Sequence, residues 1–329
     1  HVKNGLGLIT LSAISNTMDL SAERITSLLQ VRDDMGNTAL HLGLAVESVS
    51  VLPGISKRDT HCDIQAPFTV RNDDGFSPLH WAMSRIMAPA HKNLSPVLDI
   101  LPQDQLKKIM QIQLTKTSRF YKHVDHKGDT ILHTLAVRQN KDHLEMILSN
   151  VTLEELESLL AIQNDQGNTA LHMAAHSQRT FAMFHPSLVA IAIESASSAS
   201  ELLKLSNGIG CTVLHVIAYH SELNIVKTLL SGLGQASAFD MMSVSDQDGN
   251  TPLHVAAALE KFTMVLYMSS RLNDCDRKRV AEIKNAAGEN IIDKTLDYND
   301  QHWHRCFQQL LGSNKMCFSV YSVNQYYRY

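Results

Sequence analysis

The sequence lacks the features that would mark a membrane protein or a nucleic-acid-binding protein. Its apolar runs are short, the best candidate being residues 188–193, whereas a membrane-spanning helix needs about 20 apolar residues. Basic residues are not in excess, since 29 lysines and arginines stand against 33 acidic residues. A nucleic-acid-binding domain is typically strongly basic. We therefore expect neither membrane insertion nor nucleic-acid binding.

The chain also has few cysteines, and their spacing indicates no disulfide framework. The five are scattered along the sequence, at Cys62, Cys211, Cys275, Cys306 and Cys317. An odd number of unpaired cysteines is typical of a reducing compartment, so the sequence predicts a cytoplasmic location. Aromatic residues make up only 6% of the chain, but 44% hydrophobic and 19% charged residues are typical of a folded protein.

One short phrase recurs along the chain: glycine, any residue, threonine or serine, any residue, leucine and histidine. Its six full copies begin at Gly36, Gly75, Gly128, Gly167, Gly210 and Gly249. Two degenerate copies without the histidine lie at residues 7–11 and 288–293. A phrase repeated at similar spacing indicates a repeat architecture rather than globular domains with separate cores.

The phrase predicts a tight turn followed by a helix. Glycine supplies the positive φ that a tight turn needs. The threonine or serine caps the next helix by accepting an amide hydrogen bond. Proline at positions 78 and 252 suits the first helical position, where its missing N–H costs nothing. The leucine then begins a buried stripe.

The repeated phrase resembles the T-P-L-H-x-A signature of ankyrin repeats. The resemblance implies an all-α solenoid of about seven to eight helix-turn-helix units over residues 1–312. The units would start near residues 5, 34, 73, 126, 165, 208, 247 and 286, and residues 313–329 would form an aromatic cap or tail. The resemblance also implies that the motif imidazoles join adjacent turns through hydrogen bonds: His41, His80, His133, His172, His215 and His254.

The units are longer than the family norm of about 33 residues. Most of the motif glycines are 39 residues apart, and Gly75 and Gly128 are 53 apart. The extra residues predict a short third helix before the next turn, as at 152–160, where Thr152 and Glu155 form a capping-box pattern. Similar patterns lie at residues 104–109 and 200–203. We expect irregular loops at residues 46–70 and 88–121, with the excess of the long unit in the second of these.

No constellation of residues indicates catalysis or a bound metal. His302 and Cys306 could share one helix face, but a closed zinc site needs four ligands and no second pair lies nearby. His61 and Cys62 are adjacent without any signature of a thiol nucleophile. Residues 232–234 lack the further glycine and the lysine of a phosphate-binding loop. The sequence thus predicts no catalytic residue, no metal, no cofactor and no small-molecule ligand.

Partner contacts are expected where ankyrin proteins make them, in the turns and at the exposed ends of the first helices. The predicted contact residues are Phe76, Lys127 and Gln166 in turns, and Arg85, Arg138, His176, Tyr219 and His220 at helix ends. Aromatic and arginine side chains dominate interface energies, so we expect Phe76 to be an anchor. We expect the same of Arg85, Arg138 and Tyr219, which equivalent positions would place in one row on the concave face.

The resemblance therefore implies a protein-protein interaction module without enzymatic activity of its own. The extended repeats resemble the ankyrin effectors that intracellular bacteria deliver into host cells, which would place the chain in the host cytosol. An inhibitory ankyrin domain that masks a transcription factor is one alternative. Another is the substrate-positioning domain of a larger enzyme whose catalytic domain lies outside this chain, since the sequence begins at His1 rather than methionine.

Overall fold

The structure is a computed structural model that describes residues 22–45, 65–84, 98, 101, 103–116, 127–138, 141–176, 178–194, 196–220, 223–231 and 234–296. Over these ranges the secondary structure is helical, with one isolated β-bridge between Arg32 and Thr38. The predicted all-α class is confirmed. The chain divides into two compact units, which we call unit 1 (His1–Met173) and unit 2 (Ala174–Tyr329).

The described residues form eighteen helices, nine of which begin in each unit. Those that begin in unit 1 are α1 (Ala22–Leu29), α2 (Ala39–Ala45), α3 (Gln65–Thr69), α4 (Pro78–Ser84), α5 (Gln103–Met110), α6 (Ile131–Arg138), α7 (Lys141–Ser149), α8 (Leu153–Leu160) and α9 (Ala170–Ala174). Those of unit 2 are α10 (Gln178–Glu194), α11 (Ala196–Lys204), α12 (Val213–His220), α13 (Leu223–Ser231), α14 (Gln235–Ser243), α15 (Pro252–Ala258), α16 (Phe262–Ser270), α17 (Asp274–Glu282) and α18 (Ile291–Leu296). In this part of the chain no helix is long and apolar enough to cross a bilayer.

Helices of the same rank pack against each other from one repeat to the next. In unit 2 the first helices α12, α15 and α18 form one layer, and the second helices α10, α13 and α16 form another. The third helices α11, α14 and α17 form a third layer. In unit 1 the first helices α2, α4 and α6 and the third helices α1, α3 and α5 pack in the same way. The repeats of unit 2, and the repeat formed by α6, α7 and α8 in unit 1, therefore have three helices rather than two.

The third helix predicted before the turn is present. Helix α8 is capped by Thr152, whose hydroxyl accepts from the Glu155 amide at 3.3 Å while the Glu155 carboxylate accepts from the Thr152 amide at 3.0 Å. Helices α5 and α11 are its counterparts. The expectation of an irregular loop through residue 70 is wrong for α3, because Phe68 is fully buried and α3 packs in register with α1 and α5.

Most of the extra residues of the long unit lie between Leu114 and Gly128, a range that overlaps the end of the predicted 88–121. The Leu114 amide donates to the Asp129 carbonyl, and the Gly128 amide donates to the Leu114 carbonyl, both at 2.8 Å. In the first copy the same two bonds involve Asp33, three residues before its glycine. Leu114 thus takes that position, so eleven more residues separate it from its glycine than separate Asp33 from Gly36. The degenerate copy at 7–11 and the tail at 313–329 lie outside the described residues.

Candidate protein-binding surface

The motif glycines have the backbone conformation that the sequence predicts. All seven, from Gly36 to Gly288, have φ between +73° and +87°. At five of them, Gly36, Gly75, Gly128, Gly210 and Gly249, the next turn also leaves no room for a side chain. A Cβ atom at Gly128 would lie 2.4 Å from the Asp165 amide nitrogen of the next turn. That close approach brings the two turns into hydrogen-bonding contact, since the Asp165 amide donates to the Lys127 carbonyl at 3.1 Å.

An asparagine or aspartate three residues before the glycine organises each regular turn. In one copy the Asn164 Oδ1 atom accepts from the amides of Gln166 and Asn168, both at 3.0 Å. Its Nδ2 atom donates to Asp129 Oδ1 in the preceding turn at 2.7 Å. Sequence reasoning missed this role, although the recurrence of Asn or Asp at that position could have revealed it.

The motif histidine caps its own helix through Nδ1. In α15 the Thr251 hydroxyl accepts from the His254 amide at 3.4 Å, and His254 Nδ1 accepts from the Thr251 amide at 3.2 Å. His254 Nδ1 is also 2.8 Å from Thr251 Oγ1. Because Nδ1 accepts from an amide, the neutral ring carries its proton on Nε2. The imidazole therefore keeps one N–H for a partner outside its own turn.

That N–H joins one repeat to the next, as the family resemblance implied. The Nε2 atom of His133 donates to the Asn168 carbonyl at 2.8 Å, and that of His215 donates to the Asn250 carbonyl at 2.9 Å. His41 makes the same bond to the Phe76 carbonyl at 2.9 Å. Burial lowers the pKa of His41 and of His133 to about 4. Imidazoles with such pKa values are neutral near pH 7, and both nitrogens of each ring are engaged in hydrogen bonds within the repeats.

Long polar side chains form a second connection along the turns of unit 1. Arg32 Nη2 donates to the Arg71 carbonyl at 2.9 Å. Arg71 Nη1 donates in turn to the Gln113 carbonyl. Gln113 Nε2 continues the series by donating to the Gln163 carbonyl at 2.8 Å. These side chains stiffen one edge of the repeats and are therefore occupied in holding the turns together.

An exposed group of rings lies in unit 2, where the first helices α9 and α12 end. The ring centroids of His176 and His220 are 4.2 Å apart, and those of Tyr219 and His220 are 4.6 Å apart. Tyr219 remains 57% exposed, and both histidines are exposed. We call these three residues the ring cluster. The structure thus brings together three of the residues that the sequence predicts to contact a partner.

A lysine of the next repeat, Lys261, contacts the backbone of the ring cluster. Lys261 Nζ donates to the carbonyl oxygens of Ala218 at 3.0 Å and Tyr219 at 2.7 Å, so the ammonium binds the C-terminal carbonyls of α12. Burial, and then the charge of Lys261, lowers the pKa of His220. Burial, and then the charge of His220, lowers the pKa of His176. The ring cluster is therefore uncharged near pH 7. Sequence reasoning missed Lys261, whose contact depends on packing between repeats.

Phe76 was predicted to contact a partner, and this prediction is wrong. Its side chain is 1% exposed and packs edge-on against Trp81, with centroids 5.9 Å apart. The reason is its position directly after the glycine, which faces the adjacent turns. Asn37 and Asp129 occupy the same position in other copies and are also buried.

The remaining predicted contact residues have diverse surroundings. Lys127 is exposed and pairs with Asp165 at 2.8 Å, and this contact raises the pKa of Lys127. Gln166 is exposed in the next turn. Arg138 is half-buried at the end of α6. Arg85 lies outside the described residues, so its place in a row with Arg138 and Tyr219 stays a prediction.

Comparison with known proteins agrees with this geometry. Residues 185–279 match the family described as ankyrin repeats (3 copies). Residues 185–279 of this chain are ankyrin repeats. Its fold is similar to that of the ankyrin repeat domain of Bcl-3, described as a member of the IkappaB protein family, with a TM-score of 0.51 and 16% sequence identity. The likeness covers 79% of this chain and 95% of that domain. No curated protein matches the sequence.

Proposed function

We propose that the protein binds a partner protein through the first-helix ends of unit 2, with the ring cluster as the anchor. Ankyrin repeats are in general protein-protein interaction modules, and their fold is typically not catalytic. The observation that carries the proposal is the contact between three exposed rings, His176, Tyr219 and His220.

The composition of the ring cluster suits an interface. Tyrosine supplies a large, rigid contact area together with a hydroxyl group, and such residues are enriched among those that dominate binding energy. The fold positions the cluster without depending on it, because the core below consists of fully buried residues such as Ile217 and Ala218. A partner can therefore bind the rings without disturbing the packing of the repeats.

The test is a capture experiment with a matched pair of variants. The full chain carrying a tag is incubated with cytosolic extract, and the bound proteins are identified by mass spectrometry. Tyr219→Ala combined with His220→Ala should lose a protein that the unmodified chain captures, and its Kd should rise at least about tenfold, a loss of about 1.4 kcal/mol. Both residues are exposed, so we expect the free energy of unfolding to change by less than about 0.5 kcal/mol.

The control is Lys278→Ala, which removes an exposed side chain from the third helix α17. This variant should capture the same protein with unchanged affinity. Equal capture by the double variant and the unmodified chain would refute the proposal. So would a double variant that loses binding only because it unfolds, which the urea unfolding curve detects.

The partner's identity decides among the contexts that the sequence raised. A host protein would support an effector role, a transcription factor would support an inhibitory role, and the substrate of an attached enzyme would support a positioning role. We propose a reducing cytosolic compartment for all three, which the exposed free thiol of Cys275 suits.

A further inference from the structure

The exposed apolar side chains of unit 2 follow its first-helix layer. Among the described residues of this unit, the large hydrophobic side chains that remain exposed are Ile209 at 61%, Tyr219 at 57% and Leu259 at 39%. Ile209 lies in the turn before α12, whereas Tyr219 and Leu259 lie at the C-terminal ends of α12 and α15. The eight residues of α12 span about 12 Å at 1.5 Å per residue. Apolar contacts are thus available at both ends of one helix.

Carboxylates accompany these apolar side chains at both ends. Asp248 is exposed in the turn next to Ile209, since the Gln247 amide donates to the Ile209 carbonyl at 3.2 Å. Glu260 is exposed directly after Leu259 at the other end. The flanking positions therefore combine an apolar contact with a negative charge, which is the complement of an amphipathic segment with positive charge.

The turns and first helices of unit 2 also have a negative net charge. The turns and first helices at residues 207–220, 246–260 and 285–296 carry five carboxylates and one lysine, Lys294. The five are Asp246, Asp248, Glu260, Glu289 and Asp293. Lys261 follows the second segment and binds backbone carbonyls. Its charge raises the positive charges to two, against five carboxylates, so the net charge stays negative. By contrast, acids of the third helices have basic partners, as in Lys204–Asp240 and Arg279–Asp276.

We propose that the partner segment bound by unit 2 is basic, with lysine or arginine side chains beside an aliphatic or aromatic residue. This inference rests on the proposed function and specifies the chemistry of the partner. The apolar residue contacts Tyr219 or Ile209, and the basic side chains reach Asp248 and Glu260. An arginine can also stack on the uncharged rings.

The experiment uses a phage-displayed library of random 12-residue peptides selected on the full chain, with counter-selection against the Tyr219→Ala/His220→Ala variant. Selected peptides should have net positive charge and at least one large apolar residue. The affinity of the best peptide, labelled with fluorescein, is then measured by anisotropy. Asp248→Asn combined with Glu260→Gln should raise its Kd at least about threefold at low salt, and added salt should shrink this difference because it screens exposed charges.

The matched control is Glu282→Gln, which removes one exposed negative charge from α17 and should leave the Kd unchanged. Selected peptides that are acidic or neutral would overturn the proposal while leaving the ring cluster as the binding site. A selection that yields no peptide dependent on Tyr219 and His220 would overturn both this inference and the proposed function. If Glu282→Gln raised the Kd as much as the Asp248/Glu260 variant, the effect would come from the overall charge of the protein. That result would overturn direct contact between the peptide and Asp248 or Glu260.

Discussion

Mild acid should destabilise unit 1 through its buried imidazoles. Burial lowers the pKa of His41 and His133 to about 4 and that of His80 to about 3, whereas a histidine in the unfolded chain has a pKa of about 6.5. Between these values the unfolded chain binds more protons than the folded chain. The free energy of unfolding must therefore fall as the pH falls through this window.

The size of the loss follows from the distance to the unfolded pKa. pH 5 lies about 1.5 units below the unfolded pKa of about 6.5, and the three imidazoles are still neutral in the folded state at that pH. Each of them therefore lowers the free energy of unfolding by about 2 kcal/mol. Together they remove about 6 kcal/mol, which is comparable to the whole stability of a typical domain, about 5–15 kcal/mol. We expect unit 1 to be largely unfolded or close to unfolding at pH 5.

Urea unfolding followed by circular dichroism at 222 nm, at several pH values between 9 and 5, measures this dependence. Above pH 7.5 the three imidazoles are neutral in both states, so they should add no slope, which provides an internal control. His133→Gln should reduce the loss between pH 7.5 and 5 by about 2 kcal/mol, since one titrating group is gone. A free energy of unfolding that stays level down to pH 5 would refute the reasoning.

Three further comparisons test the turns and caps, each by the free energy of unfolding in urea. Gly128→Ala should cost at least about 2 kcal/mol, because it adds a clash with the Asp165 amide to an unfavourable φ. Gly288→Ala, at a similar φ (+80° against +87°) but with no atom within 4 Å, should cost only about 1 kcal/mol. Equal costs would show that the clash is relieved. Glu260→Gly should stabilise the chain by about 0.5–1 kcal/mol, since Glu260 has a φ of +58°, and Glu260→Ala should give no gain. His172→Ala should cost about 1–3 kcal/mol, because the buried amide and hydroxyl of Thr169 lose their contacts with Nδ1; an unchanged stability would contradict a structural role.

The turns and helices could be predicted because their signals are local. The positive φ of glycine, the threonine cap and the capping box of Thr152 each depend on a few neighbouring residues. Leu114 could not be placed in the same way, because the sequence puts Asp125, and not Leu114, three residues before Gly128. Its role emerges only from hydrogen bonds to Asp129 and Gly128, which follow it after a long insertion.

The candidate site was predictable to the extent that it follows the repeat. His176 and Tyr219 each lie four residues after a motif histidine, and His220 lies five after, so counting from the motif places them at helix ends. The same count gives Leu259, which the sequence analysis passed over. Phe76 shows the limit of this reasoning. It was predicted to be an exposed contact because aromatic residues often anchor interfaces, but the position directly after the glycine faces inward.

The hydrogen bonds of the motif imidazoles run in one direction along the repeats, and this direction affects how a repeat array can be truncated or rearranged. The Nε2 bond runs toward the following repeat in the copies of His41, His133, His215 and His254, and His254 donates to the Glu289 carbonyl at 3.2 Å. A fragment that stops after such a histidine leaves the Nε2 proton without its acceptor, whereas one that starts at the following repeat leaves a turn carbonyl without its donor. In the copy after His254 the equivalent residue is Asp293, whose carboxylate accepts from the Asn290 amide at 2.9 Å and has no proton to pass on. A shortened or rearranged array should therefore be most stable when it ends on a copy of the Asn290–Asp293 type, while its first repeat can be chosen freely.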